Sequence, residues 1–296
     1  MRINAVLLLI FFSTIALQAQ DDLMKLLEEE LKDEPKVIIQ TFDGSRVVNG
    51  HSAKSLSKAE LEFLIMHRFG RINSGAYNLF GLDQAFIRLG FEYGITDNIS
   101  IGLGRSSFDK SYDFYFKDKL ISQRKNASPV TVTLFNSVAL NSSQRKIDFP
   151  DITFNDRLAF TNQLLIARKF NSKLSLQLMP VFVHTNVVDQ DTERNSLFAL
   201  GFAGRYKLTK SLALTAEYYN RLNAKENSAY NNPIAIGIDI ETGGHVFQIH
   251  VTNAFGMIER AIIAETTGQF FSGDFNLGFN ISRSFQLNKQ KRSKSW

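Results

Sequence analysis

From Pro129 to Phe285 the chain alternates apolar and polar residues in one segment after another, and few folds accept that pattern. Ile234, Ile236, Ile238 and Ile240 interleave with Ala235, Gly237, Asp239 and Glu241. Val130, Val132 and Leu134 interleave with Thr131 and Thr133, and Phe275, Leu277, Phe279 and Ile281 with Asn276, Gly278, Asn280 and Ser282. Side chains of a strand point alternately to its two sides, so every such segment has an apolar face and a polar or small-residue face. A soluble sandwich and a membrane barrel both satisfy this.

Strand length separates the two. Twelve candidate strands cover about 61–69, 84–94, 97–106, 111–121, 129–141, 156–170, 173–185, 195–207, 211–221, 233–241, 245–256 and 273–285. A typical globular strand has about 5 to 6 residues, whereas a tilted strand crossing a bilayer needs about 9 to 11. The connections alternate long and short, with 107–110 as the exception. Outer-membrane barrels have short periplasmic turns and long outer loops, a phase that puts both chain ends in the periplasm. Aromatic residues such as Phe69, Tyr93, Phe170, Tyr206, Phe255 and Phe285 fall near strand ends, where barrels carry their girdles.

The N-terminus reads as an export signal over 1–19: Arg2, an apolar run from Ala5 to Phe12, then Gln18-Ala19-Gln20 with a small residue for cleavage. No other stretch approaches the ~18 apolar residues of a transmembrane helix. Residues 20–60 are expected to be a periplasmic leader containing a short amphipathic helix between Asp21 and Pro35, with Leu23, Leu27 and Leu31 on one stripe. The barrel is expected over 61–285, followed by a basic tail, 286–296, with Lys289, Lys291, Arg292 and Lys294. Without cysteine the chain has no disulfide or thiolate metal site. The net charge of +5 leaves the body about neutral once that tail is set apart, so no nucleic-acid footprint is present.

Several motifs in one order look familiar: Arg46-Val47-Val48-Asn49-Gly50-His51-Ser52, His67-Arg68-Phe69-Gly70, Gly81-Leu82-Asp83, Gly90-Phe91-Glu92-Tyr93-Gly94-Ile95-Thr96-Asp97, Gly102-Leu103-Gly104-Arg105-Ser106-Ser107 and Gly278-Phe279-Asn280-Ile281-Ser282-Arg283. Together they resemble an uncharacterised membrane-bound β-barrel family of Bacteroidota, a domain of unknown function. The resemblance implies an outer-membrane location. It supplies no activity, substrate or catalytic residue.

The residues themselves offer little chemistry. His245 and His250 are five apart in one strand and point to opposite faces. His184 has lipid-facing parity near the outer rim, and His51 and His67 lie in or beside the first hairpin. No spacing suits zinc, no Gly-x-Ser-x-Gly elbow is present, and no Ser and His share a face two residues apart on a strand. Assigning apolar parity to lipid leaves Gln84, Arg88, Glu92, Arg157, Gln163, Lys169, Arg205, Glu217, Asp239, Glu241 and His250 as lumen-lining candidates. They either line a water path or pair with one another across a closed interior. Gly90, Gly102, Gly104, Gly201, Gly237 and Gly278 sit inside strands, either easing barrel curvature or letting a ligand or plug approach the wall.

The sequence thus predicts an all-β protein, an antiparallel outer-membrane β-barrel of about twelve strands with a short N-terminal helical leader. The expected role is a porin-like passive small-solute channel. The alternative is a non-conducting outer-membrane scaffold that presents loops 142–155, 222–232 and 257–272 to a protein partner. An outer-membrane hydrolase is the least supported. No enzyme activity, metal or cofactor is expected, and the expected partners are outer-membrane lipid, small solutes or a protein at the extracellular loops, with no nucleic acid.

Overall fold

The structure, a computed structural model, describes residues 41–143, 151–188 and 191–288. The expected signal peptide, the leader helix and the basic residues of the tail lie outside the described residues. Twelve strands form: β1 (Glu60–Arg71), β2 (Ala85–Gly94), β3 (Ile99–Ser106), β4 (Tyr112–Ile121), β5 (Thr131–Leu140) and β6 (Leu158–Lys169), then β7 (Leu174–Thr185), β8 (Ser196–Lys207), β9 (Leu212–Arg221), β10 (Ile234–Thr242), β11 (His245–Thr252) and β12 (Asn276–Gln286). Each pairs antiparallel with its sequence neighbours, and β1 pairs with β12, from Glu60↔Gln286 to Arg71↔Asn276, to close the barrel. The twelve strands expected from the alternation are the twelve that form.

The expected eleventh strand runs too far. It stops at Thr252 because Asn253 leaves the ladder: its Oδ1 accepts from the Ile234 amide at 2.7 Å, and its Nδ2 donates to the Gly268 carbonyl at 2.8 Å. The chain then turns into the barrel, where a one-turn helix, α1 (Glu259–Ile263), is buried along its whole length. Both ends of the barrel domain lie at one mouth, with the tight turns. The two-residue turn Gly243-Gly244 has positive φ at both positions, as the hairpin geometry requires. This is the terminal mouth. The longer connections gather at the opposite, long-loop mouth.

Parity is obeyed around the wall. On β10, Ile236 and Ile238 point outward, 50% and 41% exposed, while Ala235, Gly237 and Asp239 are buried inward. Pro180 faces outward on β7, and the β6–β7 pairing is interrupted between Val181 and Leu178, where proline has no N–H to donate. Replacing Ile238 with Arg should therefore cost about 2 to 4 kcal/mol in a bilayer, against about 0 to 1 for Leu208→Arg in a turn at the terminal mouth. Urea unfolding in lipid vesicles measures both, and equal losses would invalidate the assignment of the outer face.

Candidate functional site

The lumen is occupied. Residues 41–59, assigned to the leader by sequence, enter at the terminal mouth, climb to mid-barrel, reverse and return to start β1. The reversal is a hairpin: Arg46 bridges His51, the Val47 amide donates to the Gly50 carbonyl at 2.9 Å, and the Ser52 amide to the Ser45 carbonyl at 2.9 Å. At its base Lys54 Nζ reaches across to donate to the Asp43 carbonyl at 2.8 Å. Gly50 is required at the tip, because a Cβ there would come within 2.0 Å of the Tyr219 hydroxyl. An isolated hairpin is marginal in water, and this one is ordered by the wall around it.

Wall side chains read the hairpin backbone from several directions. Gln248 of β11 donates to the Val47 carbonyl and Asn280 of β12 to the Val48 carbonyl, each at 2.8 Å. Gln177 of β7 donates to the His51 carbonyl and accepts from the Ala53 amide, both at 2.8 Å, and Thr133 of β5 donates to the Ala53 carbonyl at 2.9 Å. Glu217 of β9 accepts from the Gly50 amide at 2.9 Å, and Arg68 of β1 donates to Asn49 Oδ1 at 2.7 Å. Each bond satisfies a backbone or charged group that burial would otherwise leave unpaired. Phe42, Val47, Val48 and Ala53 also pack against Phe135, Leu165, Met179 and Tyr219.

From the long-loop mouth α1 descends to meet the hairpin. Ile262 and Ile263 join the same apolar cluster, and Glu259 Oε1 accepts from Arg46 Nη1 at 2.6 Å. His51 Nε2 lies 3.2 Å from that carboxylate oxygen, but the angle is not that of a hydrogen bond. The His51 ring packs against Tyr115 and Phe135, with ring centroids 4.5 and 4.3 Å away. An open vestibule of about 420 Å³ at the terminal mouth ends on Asp43, Lys54 and Glu62.

Of the predicted lumen residues, Arg88, Glu92, Gln163, Arg205, Glu217, Asp239 and His250 are buried inside. Arg88 is paired with Asp113. Glu92 holds Lys117 Nζ at 3.1 Å, the Tyr115 hydroxyl at 3.0 Å and the Ser100 hydroxyl at 2.7 Å. Arg205 joins Asp239 and the half-buried Glu241, each at 3.4 Å, and also Asp43 of the hairpin. His250 packs beside Arg68 over Gly278. Neither polar atom of the Gln163 side chain has a hydrogen-bond partner. Three candidates lie elsewhere. Gln84 is exposed and precedes β2, Arg157 is half-buried at the long-loop mouth with Nη1 2.8 Å from the Ser143 carbonyl, and Lys169 ends β6 at the terminal mouth.

Sequence reasoning missed Asp113, Tyr115 and Lys117, although β4 carries the signal: Tyr112, Phe114 and Phe116 alternate with them. It also missed Arg68 and Glu62, because β1 is apolar on both faces and hides its parity. The strand glycines have a specific use. A Cβ on Gly102 would strike Tyr115, one on Gly201 Tyr219, and one on Gly90 or Gly104 the Arg88 guanidinium. They are floors on which large inward side chains lie flat. Among the described residues no group of three or more His, Asp or Glu side chains is placed to hold a metal.

Comparison with solved structures returns membrane barrels. The NanC porin is 11% identical over 77% of this chain and 100% of its own, with a TM-score of 0.49. The KdgM porin is 10% identical over 76% and 99%, with a TM-score of 0.46. The COG4313 outer membrane channel from Pseudomonas putida F1 is 12% identical over 82% and 100%, with a TM-score of 0.47. No curated protein matches the chain. Residues 42–285, from the base of the hairpin to the end of the last strand, match the model of the membrane bound beta barrel domain DUF5777, and the chain belongs to that family.

Proposed function

We propose that the protein is an outer-membrane channel held shut at rest by its own N-terminal hairpin, and that small polar solutes pass only when the hairpin is displaced. The observation that carries this is the hairpin itself, buried across the lumen and bonded to β1, β5, β7, β9, β11 and β12. The bonding favours a removable plug over a permanent core. Wall carboxamides and hydroxyls contact hairpin carbonyls, and water can take over each of those bonds at little net cost. Apolar packing of Phe42, Val47, Val48 and Ala53 holds the resting state, while Arg46–Glu259 is a desolvated ion pair, a cost that water entering the lumen would relieve. With Arg68, Arg88, Lys117 and Arg205 facing Glu92, Glu217 and Asp239, the opened path is weakly selective.

The test uses the absence of cysteine from the chain. Cysteines placed at Ala53 and Thr133, where the Thr133 hydroxyl donates to the Ala53 carbonyl at 2.9 Å, are joined through disulfides to a short bis-methanethiosulfonate bridge that staples the hairpin to β5. In planar bilayers the full chain should be quiet apart from sparse brief steps, the staple should remove them, and reductant should restore them. Steady current from the unmodified chain, or steps that survive the staple, would show that the hairpin does not close the path.

A further inference from the structure

The outer wall carries a group that neither hairpin nor lumen explains. On β6, β7 and β8 the outward side chains near the long-loop mouth are mainly apolar, with Phe160, Phe182 and Phe198 among them. Three are polar: Asn162, His184 and Ser196. His184 and Ser196 are directly paired across β7 and β8, and the Ser196 hydroxyl lies 2.9 Å from His184 Nδ1. Asn162 stands opposite Phe182 and His184 opposite Phe160, so Asn162 is the diagonal neighbour of His184, at the ~7 to 8 Å typical of such positions. A hydroxyl, an imidazole and a carboxamide on successive strands are costly on a face turned to lipid, and such groups mark function more often than packing.

The surroundings fit a lipid substrate. Ser196 opens β8 and His184 is the second-last residue of β7, so the pair sits at the long-loop rim of the wall, the part of a membrane barrel that meets the interfacial region of a leaflet. An open hollow of about 440 Å³ adjoins Ser196, lined by Phe198, Asn223, Arg194, Lys225 and Glu193, whose carboxylate is already paired with Arg221 at 3.1 Å. Asn223 fixes the strand beside the hydroxyl, accepting from the Phe198 amide at 2.7 Å and donating to the Ser196 carbonyl at 3.1 Å. The two cations complement an anionic headgroup.

We propose that this outer-wall pair is an ester-cleaving site for the acyl chains of anionic membrane lipids. Ser196 Oγ attacks the ester carbonyl, and His184 Nδ1 takes the hydroxyl proton and passes it to the departing glycerol oxygen as the ester C–O bond breaks. Water, deprotonated by the same nitrogen, then attacks the acyl-serine, releasing the fatty acid and restoring the hydroxyl. No electrons change hands and no cofactor enters. The two groups of the step are Ser196 and His184, paired directly across β7 and β8. The site lies on the opposite side of the wall from the hairpin and is independent of whether the lumen conducts.

The test is fatty-acid release by the full chain from mixed micelles of detergent and phosphatidylglycerol, with phosphatidylcholine as the neutral comparison, together with fluorophosphonate labelling mapped by mass spectrometry. The label should fall on Ser196, and release should drop by at least about 100-fold in Ser196→Ala and His184→Ala. Phosphatidylglycerol should be cleaved faster than phosphatidylcholine. The faster migration of unheated protein on a gel verifies that each variant is folded. Folded wild-type protein that neither labels nor releases fatty acid, or release that persists in Ser196→Ala, would overturn the site.

Discussion

Deleting residues 44–53 should turn a quiet barrel into one that passes steady current across a planar bilayer. The cut follows the hairpin's own pairing, in which the Ser52 amide donates to the Ser45 carbonyl at 2.9 Å and Lys54 reaches across to the Asp43 carbonyl, so Asp43 and Lys54 face each other on the two arms, and a short Gly-Ser linker joins them. What it removes is the mid-lumen obstruction and every bond from Gln177, Gln248, Asn280 and Glu217 to the hairpin backbone. Those wall groups then face water, which hydrates carboxamides and carboxylates readily. A twelve-stranded wall lies between the eight-stranded barrels that side chains fill and the 16- to 18-stranded ones that leave a channel, so clearing the centre should admit ions. Glu259 loses Arg46 and gains solvent, which loosens α1 from above. A folded deletion variant that remains silent would assign the closure to α1 instead, and substituting Glu259 together with Ile262 would then be the change that opens it.

How much of this was legible in the sequence follows from what side-chain alternation encodes. Period and parity are local, so the number of strands and the inward placement of Arg88, Glu92, Arg205, Glu217 and Asp239 can be read directly. Register is not local. That Arg88 meets Asp113 two strands away, or that His184 lies opposite Ser196, depends on how each turn sets the pairing, and no spacing along the chain reports it. The hairpin was hidden for another reason. Arg46 to Ser52 mixes charged, apolar and turn-forming residues without a period, as an exposed loop also does, and becomes ordered only where six strands supply partners. The glycines at Gly102 and Gly201 show both sides of this: their inward parity was readable, but the tyrosines that need the space come from β4 and β9.

Asp113→Leu should be the most destabilising single change in the wall, costing about 3 to 5 kcal/mol. Arg88 is fully buried, its guanidinium lying flat over Gly90 and Gly104 and paired through two nitrogens to the Asp113 carboxylate, with Nε at 2.9 Å from Oδ1. The guanidinium lies directly on the backbone there, since a Cβ at Gly104 would stand 2.3 Å from Arg88 Nη2. Removing the carboxylate strands a charge that has neither partner nor water, whereas removing both charges does not. Arg88→Met combined with Asp113→Leu should therefore recover most of the loss, because an apolar pair of similar volume replaces a costly desolvated one. Urea unfolding of the refolded barrels in vesicles compares the wild type with the single and double variants. The same measurement bears on the closed lumen: if Asp113→Leu costs no more than about 1 kcal/mol, as for a surface ion pair, water reaches Arg88 and the interior around β2 to β4 is already an aqueous path in the resting protein.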